Sequence, residues 1–126
     1  MKSIVYTEKA PAPIGPYSQA VQTGNMLFIS GQIPIDPETN QLISGSIKDE
    51  AQQVMQNLAA LLLKAGFIFE NVVKTTIFLS DMNHFAEVNE VYGSYFNSDV
   101  PARETVAVLG LPKNVNVEIS LIAVKA

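Results

Sequence analysis

The sequence predicts a single α+β domain in which two helices cover one face of a mixed β-sheet. The chain has 126 residues, the usual size of one domain with one core. Six segments have the alternation or β-branched composition of strands, and two have apolar residues at helical spacing. Their order is strand, strand, strand, helix, strand, helix, strand, strand, which is typical of an α+β domain spanning residues 1–126.

The first third of the chain predicts three strands and a long loop. Residues 23–25, Thr-Gly-Asn, have the composition of a short hairpin loop between two of the strands. Prolines within residues 11–16 exclude helix and make that segment stiff. Residues 31–45 predict a loop with a brief edge strand near 41–44. The three predicted strands are residues 2–6, 18–22 and 26–30.

The clearest helix is predicted to follow Ser46. Ser46 is a good N-cap, Asp49 stands three residues further on, and Gly66 follows the last apolar position. Between them the apolar residues recur every 3.6 positions, so one face of this helix should be buried. These apolar residues are Ile47, Ala51, Val54, Met55, Leu58, Leu61, Leu62 and Ala65.

A second helix and three further strands are predicted in the other half of the chain. Asp81 or Asn83 can cap a helix whose apolar stripe continues to Phe96, and Pro101 prevents its continuation. Residues 72–79 alternate and predict a central strand. Two further alternating segments flank a turn at residues 111–114 and predict a closing hairpin. These two segments are residues 103–109 and 115–124.

Composition excludes several classes of function. The net charge is −4, the wrong sign for a protein that neutralises nucleic-acid phosphates or an anionic membrane. The chain has no cysteine and one histidine, so we expect neither a disulfide framework nor a cysteine or histidine metal site. The longest apolar stretch, residues 58–63, is far below the ~20 residues of a membrane span. A cytoplasmic protein is expected.

An oligomer is predicted from two features. Charged residues make up 16% of the chain, below the ~25% of an average domain, which indicates that some surface is hidden. The predicted fold also has only two layers, so the alternating apolar residues on the second sheet face should pack against identical subunits. Sites between subunits would follow from such an assembly.

Arg103 and Glu118 are the main candidates for chemistry, because each is a charged residue inside an apolar strand. In the predicted hairpin, Glu118 faces Thr105 and lies diagonally from Arg103 on the same face. A cross-strand salt bridge is the more common explanation of such a pair. Spacing alone therefore does not establish a site.

Four other residues have both a functional and a structural explanation. Asn89 faces the apolar side of the second helix and is either a ligand contact or a satisfied buried amide. Tyr17, on the stiff proline segment, suits a pocket wall or ordinary packing. Ser30 and Gly31 end a strand, where a ligand could approach the backbone or a plain turn could form. His84 with Asp81 is far short of a metal ligand set.

Five motifs, in the order typical of the family, resemble the Rid/YjgF family, and the resemblance extends over essentially the whole chain. The motifs are Ile14-Gly15-Pro16-Tyr17-Ser18-Gln19-Ala20, Phe28-Ile29-Ser30-Gly31-Gln32-Ile33-Pro34, Val88-Asn89-Glu90-Val91-Tyr92, Pro101-Ala102-Arg103, and Leu111-Pro112 followed by Val117-Glu118-Ile119. The resemblance implies a chorismate-mutase-like homotrimer with clefts between subunits. It also implies 2-iminobutanoate/2-iminopropanoate deaminase activity, which releases 2-oxo acids and ammonia and needs no cofactor or metal.

The resemblance assigns roles by position. Arg103 matches the arginine that binds the substrate carboxylate, and Glu118 the carboxylate that holds the attacking water. The Gly31 backbone matches the group that orients the imine nitrogen. Thr105 and its neighbour Glu104 depart from the common cysteine and serine, which affects substrate preference. The remaining substrate-binding positions are Tyr17, Ser30 and Asn89.

Two other functions stay open from the sequence. The same clefts could bind small carboxylates in a regulatory or chaperone-like module. RNA cleavage has been attached to the family, but the acidic chain offers neither a basic patch nor a histidine pair.

Overall fold

The computed structural model describes residues 1–126 as eight strands and two helices. The strands are β1 (Lys2–Val5), β2 (Ala20–Thr23), β3 (Met26–Gln32), β4 (Ile35–Asp36), β5 (Gln41–Leu42), β6 (Val72–Leu79), β7 (Ala102–Ala107) and β8 (Val117–Val124). The helices are α1 (Ile47–Ala65) and α2 (Phe85–Gly93).

Six strands form one sheet in the order β1-β2-β3-β8-β6-β7. Only β6 and β7 are parallel, and every other pair is antiparallel, so the sheet is mixed. The α+β class with a mixed sheet and two helices is confirmed. The short β5 also forms within the predicted loop, but it pairs with β4 in a separate two-stranded sheet.

Helix α1 begins and ends where its sequence signals predicted. The Ser46 side chain accepts a hydrogen bond from the Asp49 N–H, and the Asp49 carboxylate accepts one from the Ser46 N–H, which together form a capping box. Gly66 ends the helix with φ +82°, a left-handed conformation that glycine adopts without strain. The apolar face of α1 lies on β3 and β8.

Helix α2 is shorter than its apolar stripe predicted. Asp81 caps a single 3₁₀ turn before it, and α2 ends at Gly93. The chain then tightens into i→i+3 hydrogen bonds, which bring Tyr95 and Phe96 onto the core outside the helix. The Phe96 ring lies 4.8 Å from Tyr92, centroid to centroid.

The predicted closing hairpin is wrong. Strand β8 lies between β3 and β6, and β7 pairs with the opposite edge of β6. Because α2 connects β6 to β7, the two strands run parallel, as expected when a helical crossover joins neighbouring strands. Thr105 is therefore registered with Ile77 of β6 rather than with Glu118.

The core lies between the helices and one face of the sheet. A cluster of 21 buried residues fills it, and β8 contributes every second residue from Val117 to Ala123. The alternate residues of β8, among them Glu118 and Ile122, lie on the other face, which we call the open face because no other element covers it. No helix of this fold has both the length and the apolar character needed to cross a membrane.

Candidate active site

A cavity of about 300 Å³ opens beside Glu118 on the open face. Its walls come from the proline-rich segment, the end of β3, the turn before β8 and β8 itself. We call it the open-face cavity. It is lined by Ile14, Tyr17, Ser30, Gly31, Ile33, Pro112 and Glu118.

A β-bulge shapes the floor of this cavity. Ile29 is registered with Leu121 and Gln32 with Ile119, so β3 contains one residue more than β8 over this stretch. The Glu118 carboxylate lies directly against Gly31, and a Cβ on Gly31 would come within 2.8 Å of its Cδ. A side chain at position 31 would therefore displace the Glu118 carboxylate from its present position.

Glu118 is a carboxylate without a partner in its own chain. It accepts no hydrogen bond there, and no lysine, arginine or histidine forms an ion pair with it. Partial burial raises the pKa of the Glu118 carboxyl above its ordinary value, because removal from water penalises the charged form. A raised pKa makes the carboxylate a stronger base, which suits a group that accepts and returns a proton.

Gln19 holds the proline-rich segment over the cavity. Its buried side-chain amide donates to the carbonyls of Ala10 and Pro11, at 3.2 and 2.9 Å, and its oxygen accepts from the Thr7 N–H at 2.8 Å. Ser30 adds a second tie, since its hydroxyl donates to the Ser18 carbonyl at 2.7 Å. Tyr17 is thus carried on an anchored segment.

Arg103 lies on the helix-covered face, where β7 forms the edge of the sheet. Its Nη1 donates to Asn89 Oδ1 at 2.5 Å. Its Cζ lies 5.5 Å from the Phe85 ring centroid and 5.2 Å from that of Tyr92, within the range of cation–π contacts. Arg103 has no carboxylate partner, so the salt bridge with Glu118 that spacing favoured does not form.

Thr105 follows Arg103 on the same face of β7, and its hydroxyl oxygen is buried without a hydrogen-bond partner. Glu104 points to the open face and pairs with Lys74 at 3.2 Å. His84 Nδ1 is likewise buried without a partner. No group of three or more His, Asp and Glu side chains is placed to hold a metal ion.

The predicted site residues therefore fall into two groups within one chain. Tyr17, Ser30, Gly31 and Glu118 line the open-face cavity. Asn89, Arg103 and Thr105 lie on the helix-covered face, and the predicted proximity of Arg103 to Glu118 is wrong because β6 separates their strands.

Sequence reasoning did not single out the apolar walls of the cavity or its anchor. Ile14, Ile33 and Pro112 line it, but an apolar residue in a loop has no chemical signal of its own. Gln19 had a usable signal. A segment rich in proline has few N–H groups, so a nearby buried amide is needed to satisfy its carbonyls.

Comparison with known proteins defines the family of this fold and site. Residues 7–125 match the family described as Endoribonuclease L-PSP, and the chain belongs to this family, the Rid/YjgF family. A Rid-family protein from Yersinia pestis has a solved structure with a TM-score of 0.96 and 45% identity, covering 99% of this chain and 100% of its own. The resemblance drawn from the five motifs is confirmed.

Curated relatives extend the match over the whole chain. A RutC family protein of Pyrococcus horikoshii is 54% identical over 99% of both chains. The mouse 2-iminobutanoate/2-iminopropanoate deaminase is 49% identical, over 99% of this chain and 93% of its own. The solved structure of Escherichia coli TdcF with bound serine has a TM-score of 0.94 and 41% identity, covering 98% of this chain and 99% of its own.

Proposed function

We propose that this protein hydrolyses 2-imino acids, such as 2-iminobutanoate and 2-iminopropanoate, to 2-oxo acids and ammonia. One observation carries the proposal: Arg103 and Glu118 are both partly buried, and neither has a counter-charge within the chain. An isolated charge of this kind is retained where a ligand or a partner balances it. A zwitterionic imino acid, with a carboxylate and an iminium nitrogen, offers one charge to each.

The same proposal requires a site between subunits. Arg103 and Glu118 lie on opposite faces of one sheet, so a single chain cannot present both to one small molecule. We propose a homotrimer of chorismate-mutase-like architecture in which Arg103 of the partner subunit closes the open-face cavity. The apolar residues that would meet at the interface are Ile4, Val21, Phe28, Phe78, Val106 and Ile122.

Arg103 is suited to hold the substrate carboxylate. Its planar guanidinium can bind a carboxylate through two parallel hydrogen bonds, and Asn89 together with the rings of Phe85 and Tyr92 fixes its plane. The serine-bound structure of the TdcF relative supports a small amino acid as the kind of molecule that fits here. The name of the mouse relative supports the reaction.

Glu118 would accept a proton from the attacking water. The water oxygen adds to the electrophilic iminium carbon and gives a carbinolamine. The proton held by Glu118 passes to the amino group, which leaves as ammonia. At the same time the carbinolamine hydroxyl gives its proton to Glu118 and its C–O bond becomes the 2-oxo group, and that proton is then released and taken up by ammonia as ammonium. Little more than alignment of water and substrate is required, because the iminium carbon is already activated.

The test is ammonia and 2-oxobutanoate formation from freshly generated 2-iminobutanoate, supplied by a threonine dehydratase. Glu118→Gln keeps the shape and removes the base, so kcat should fall by roughly 10²–10⁴-fold. Glu87→Gln, an exposed carboxylate of α2, is the matched control and should keep full activity. Binding of 2-oxobutanoate without accelerated ammonia release would instead indicate a carboxylate-binding module.

A mixing experiment tests the shared site. Arg103→Met removes the group that binds the substrate carboxylate, and Glu118→Gln removes the base. Trimers of either variant alone should therefore be nearly inactive. Co-folding them in equal amounts restores an intact pair at about one quarter of the interfaces, with activity in proportion. A mixture no more active than its components would refute a site built from two subunits.

A further inference from the structure

Asn116 is tied to two other elements through all four of its polar groups. Its backbone N–H and its side-chain Nδ2 donate to the two oxygens of Glu50, at 3.1 and 2.7 Å. Its side-chain Oδ1 accepts from the Ser80 hydroxyl at 2.7 Å, and its carbonyl accepts from the Ser80 N–H at 3.0 Å. We call this the Glu50–Asn116–Ser80 network. It joins the first turn of α1, the end of β6 and the start of β8.

Glu50 is an unusual residue for such a place. Only 9% of its surface is exposed, and no cation pairs with it. Burying a carboxylate is unfavourable unless hydrogen bonds satisfy it, and both hydrogen bonds to the Glu50 carboxylate come from Asn116. An apolar pair of side chains could also join α1 to β8. Because hydrogen bonds depend on direction, the polar pair indicates that the relative position of these two elements must be well defined.

The turn just before Asn116 is a part of the chain that needs such a well-defined position. Lys113 and Asn114 are consecutive non-glycine residues with left-handed φ angles of 55° and 57°. Asparagine tolerates this conformation, but it is unfavourable for lysine, so the surroundings must hold Lys113 in it. Pro112 of this turn lines the open-face cavity, and Glu118 follows Asn116 by two residues. Along the chain, Asn116 of the network thus lies between two residues that line the cavity, Pro112 and Glu118.

We propose that Glu50, Asn116 and Ser80 are positioning residues that hold the strained turn and the start of β8, and thereby fix Glu118 and the Pro112 wall for imine hydrolysis. This inference rests on the proposed function. None of the three residues lines the cavity, so their effect on the reaction would pass through Glu118 and Pro112.

Reversing the hydrogen-bond polarity tests the network. In Glu50→Gln, either one amide N–H of the new side chain faces a donor of Asn116, or the Asn116 amide flips and reverses its hydrogen bond with Ser80, so the native pattern of hydrogen bonds is lost. In Asn116→Asp, two carboxylates face each other. The double variant restores every bond, because the new amide at position 50 donates to the new carboxylate at position 116, whose other oxygen still accepts from Ser80. Each single variant should therefore lower kcat by about tenfold and the double variant should recover it, while the Kd for 2-oxobutanoate stays within about twofold.

Asp49→Asn is the matched control. Asp49 is the neighbouring acid in the same helical turn, and its carboxylate contacts the helix cap instead of Asn116. This variant should lower thermal stability and leave kcat unchanged. A role of the network in stability alone predicts the same behaviour for Asn116→Asp, so a wild-type kcat in that variant would overturn the proposal.

Trypsin gives a readout that does not depend on activity. Lys113 is exposed in the turn, and releasing the turn should raise the rate of cleavage after Lys113 by about tenfold in the single variants but not in the double variant. Unchanged cleavage would show that the network does not hold the turn. An inactive wild-type protein would overturn the proposed function, and with it the catalytic role of the network, whatever the cleavage rates.

Discussion

The two faces of the sheet differ in how completely their residues are satisfied. On the helix-covered face, Ile77, Leu79 and Ile119 are fully buried, and two polar pairs form hydrogen bonds, Thr75 with Tyr92 at 2.7 Å and Arg103 with Asn89 at 2.5 Å. On the open face, Phe28 keeps 39% of its surface exposed, and Glu118 lacks any partner. The apolar side chains of the helix-covered face are buried within the chain, whereas those of the open face keep contact with solvent.

This difference separates the apolar surface that stabilises the subunit from the apolar surface that is available for assembly. Burial of the helix-covered face removes apolar surface from water at about 25 cal/mol per Å² and is finished within one chain. The open face combines apolar side chains with one uncompensated carboxylate, the combination expected of an interface that contains a site. Substitutions on the two faces should therefore have different consequences.

The largest effect is expected from Phe28→Asp on the open face. A carboxylate placed in an apolar interface costs several kcal/mol, so association should weaken by at least about a thousandfold while the subunit stays folded. Light scattering and circular dichroism measure the two properties. Leu63→Asp is the control, since Leu63 is exposed on α1 and its replacement should leave assembly intact. Equal dissociation in both variants would contradict the distinction between the faces.

An intermediate effect is expected from Arg103→Lys on the helix-covered face. The charge is kept, but the planar fork that Asn89 orients is lost, so kcat/KM should fall by about tenfold with the trimer intact. Calorimetry should show weaker binding of unreactive 2-oxobutanoate. If affinity and kinetics match the wild type, charge alone suffices and Arg103 does not clamp the carboxylate.

The smallest effect concerns stability in Glu118→Gln. The folded-state pKa of Glu118 lies above its ordinary value of 4.5, so the ionised carboxylate disfavours folding; this penalty is absent below about pH 4.5 and complete above the folded pKa. Glutamine removes it, and Tm at pH 7 should rise on the order of 2 °C. The comparison is made in the Phe28→Asp background, where each subunit is measured alone. A Tm difference that persists at pH 3 would assign the effect to another cause.

The sequence was sufficient where the signals are local. Ser46, Asp49 and Gly66 define α1 through hydrogen bonds and backbone angles within a few residues, and the helix forms with those bounds. The hairpin of β2 and β3 likewise forms around Gly24. Such features need no knowledge of distant partners.

Strand pairing was not predictable by the same means. Alternation places Arg103, Thr105 and Glu118 on strands correctly, but it does not specify which strand lies beside which. Adjacent alternating strands with a turn favour a hairpin, whereas the β6–α2–β7 crossover favours a parallel pair. Only one neighbour position on β6 was open to β7, because β8 occupies the other.

The sequence predicted residues of the candidate site, but it did not predict their arrangement in space. Motif resemblance identified Tyr17, Ser30, Gly31 and Glu118, which the cavity brings together. It also identified Arg103, which lies on the other face. The arrangement of the site depends on irregular features such as the one-residue bulge at Ser30 and Gly31. Such features leave no periodic pattern in the sequence.

The sheet is a continuous layer of hydrogen-bonded backbone, and Arg103 and Glu118 lie on its opposite faces. No hinge or loop movement can therefore bring both residues of one chain to the same substrate molecule. In the proposed trimer, a newly synthesised subunit is therefore catalytically silent until it meets others. At concentrations near the dissociation constant of the assembly, reaction velocity should rise more steeply than the first power of protein concentration. In the proposed trimer, dilution would lower the activity per subunit. The abundance of the protein would then set its specific activity as well as its amount.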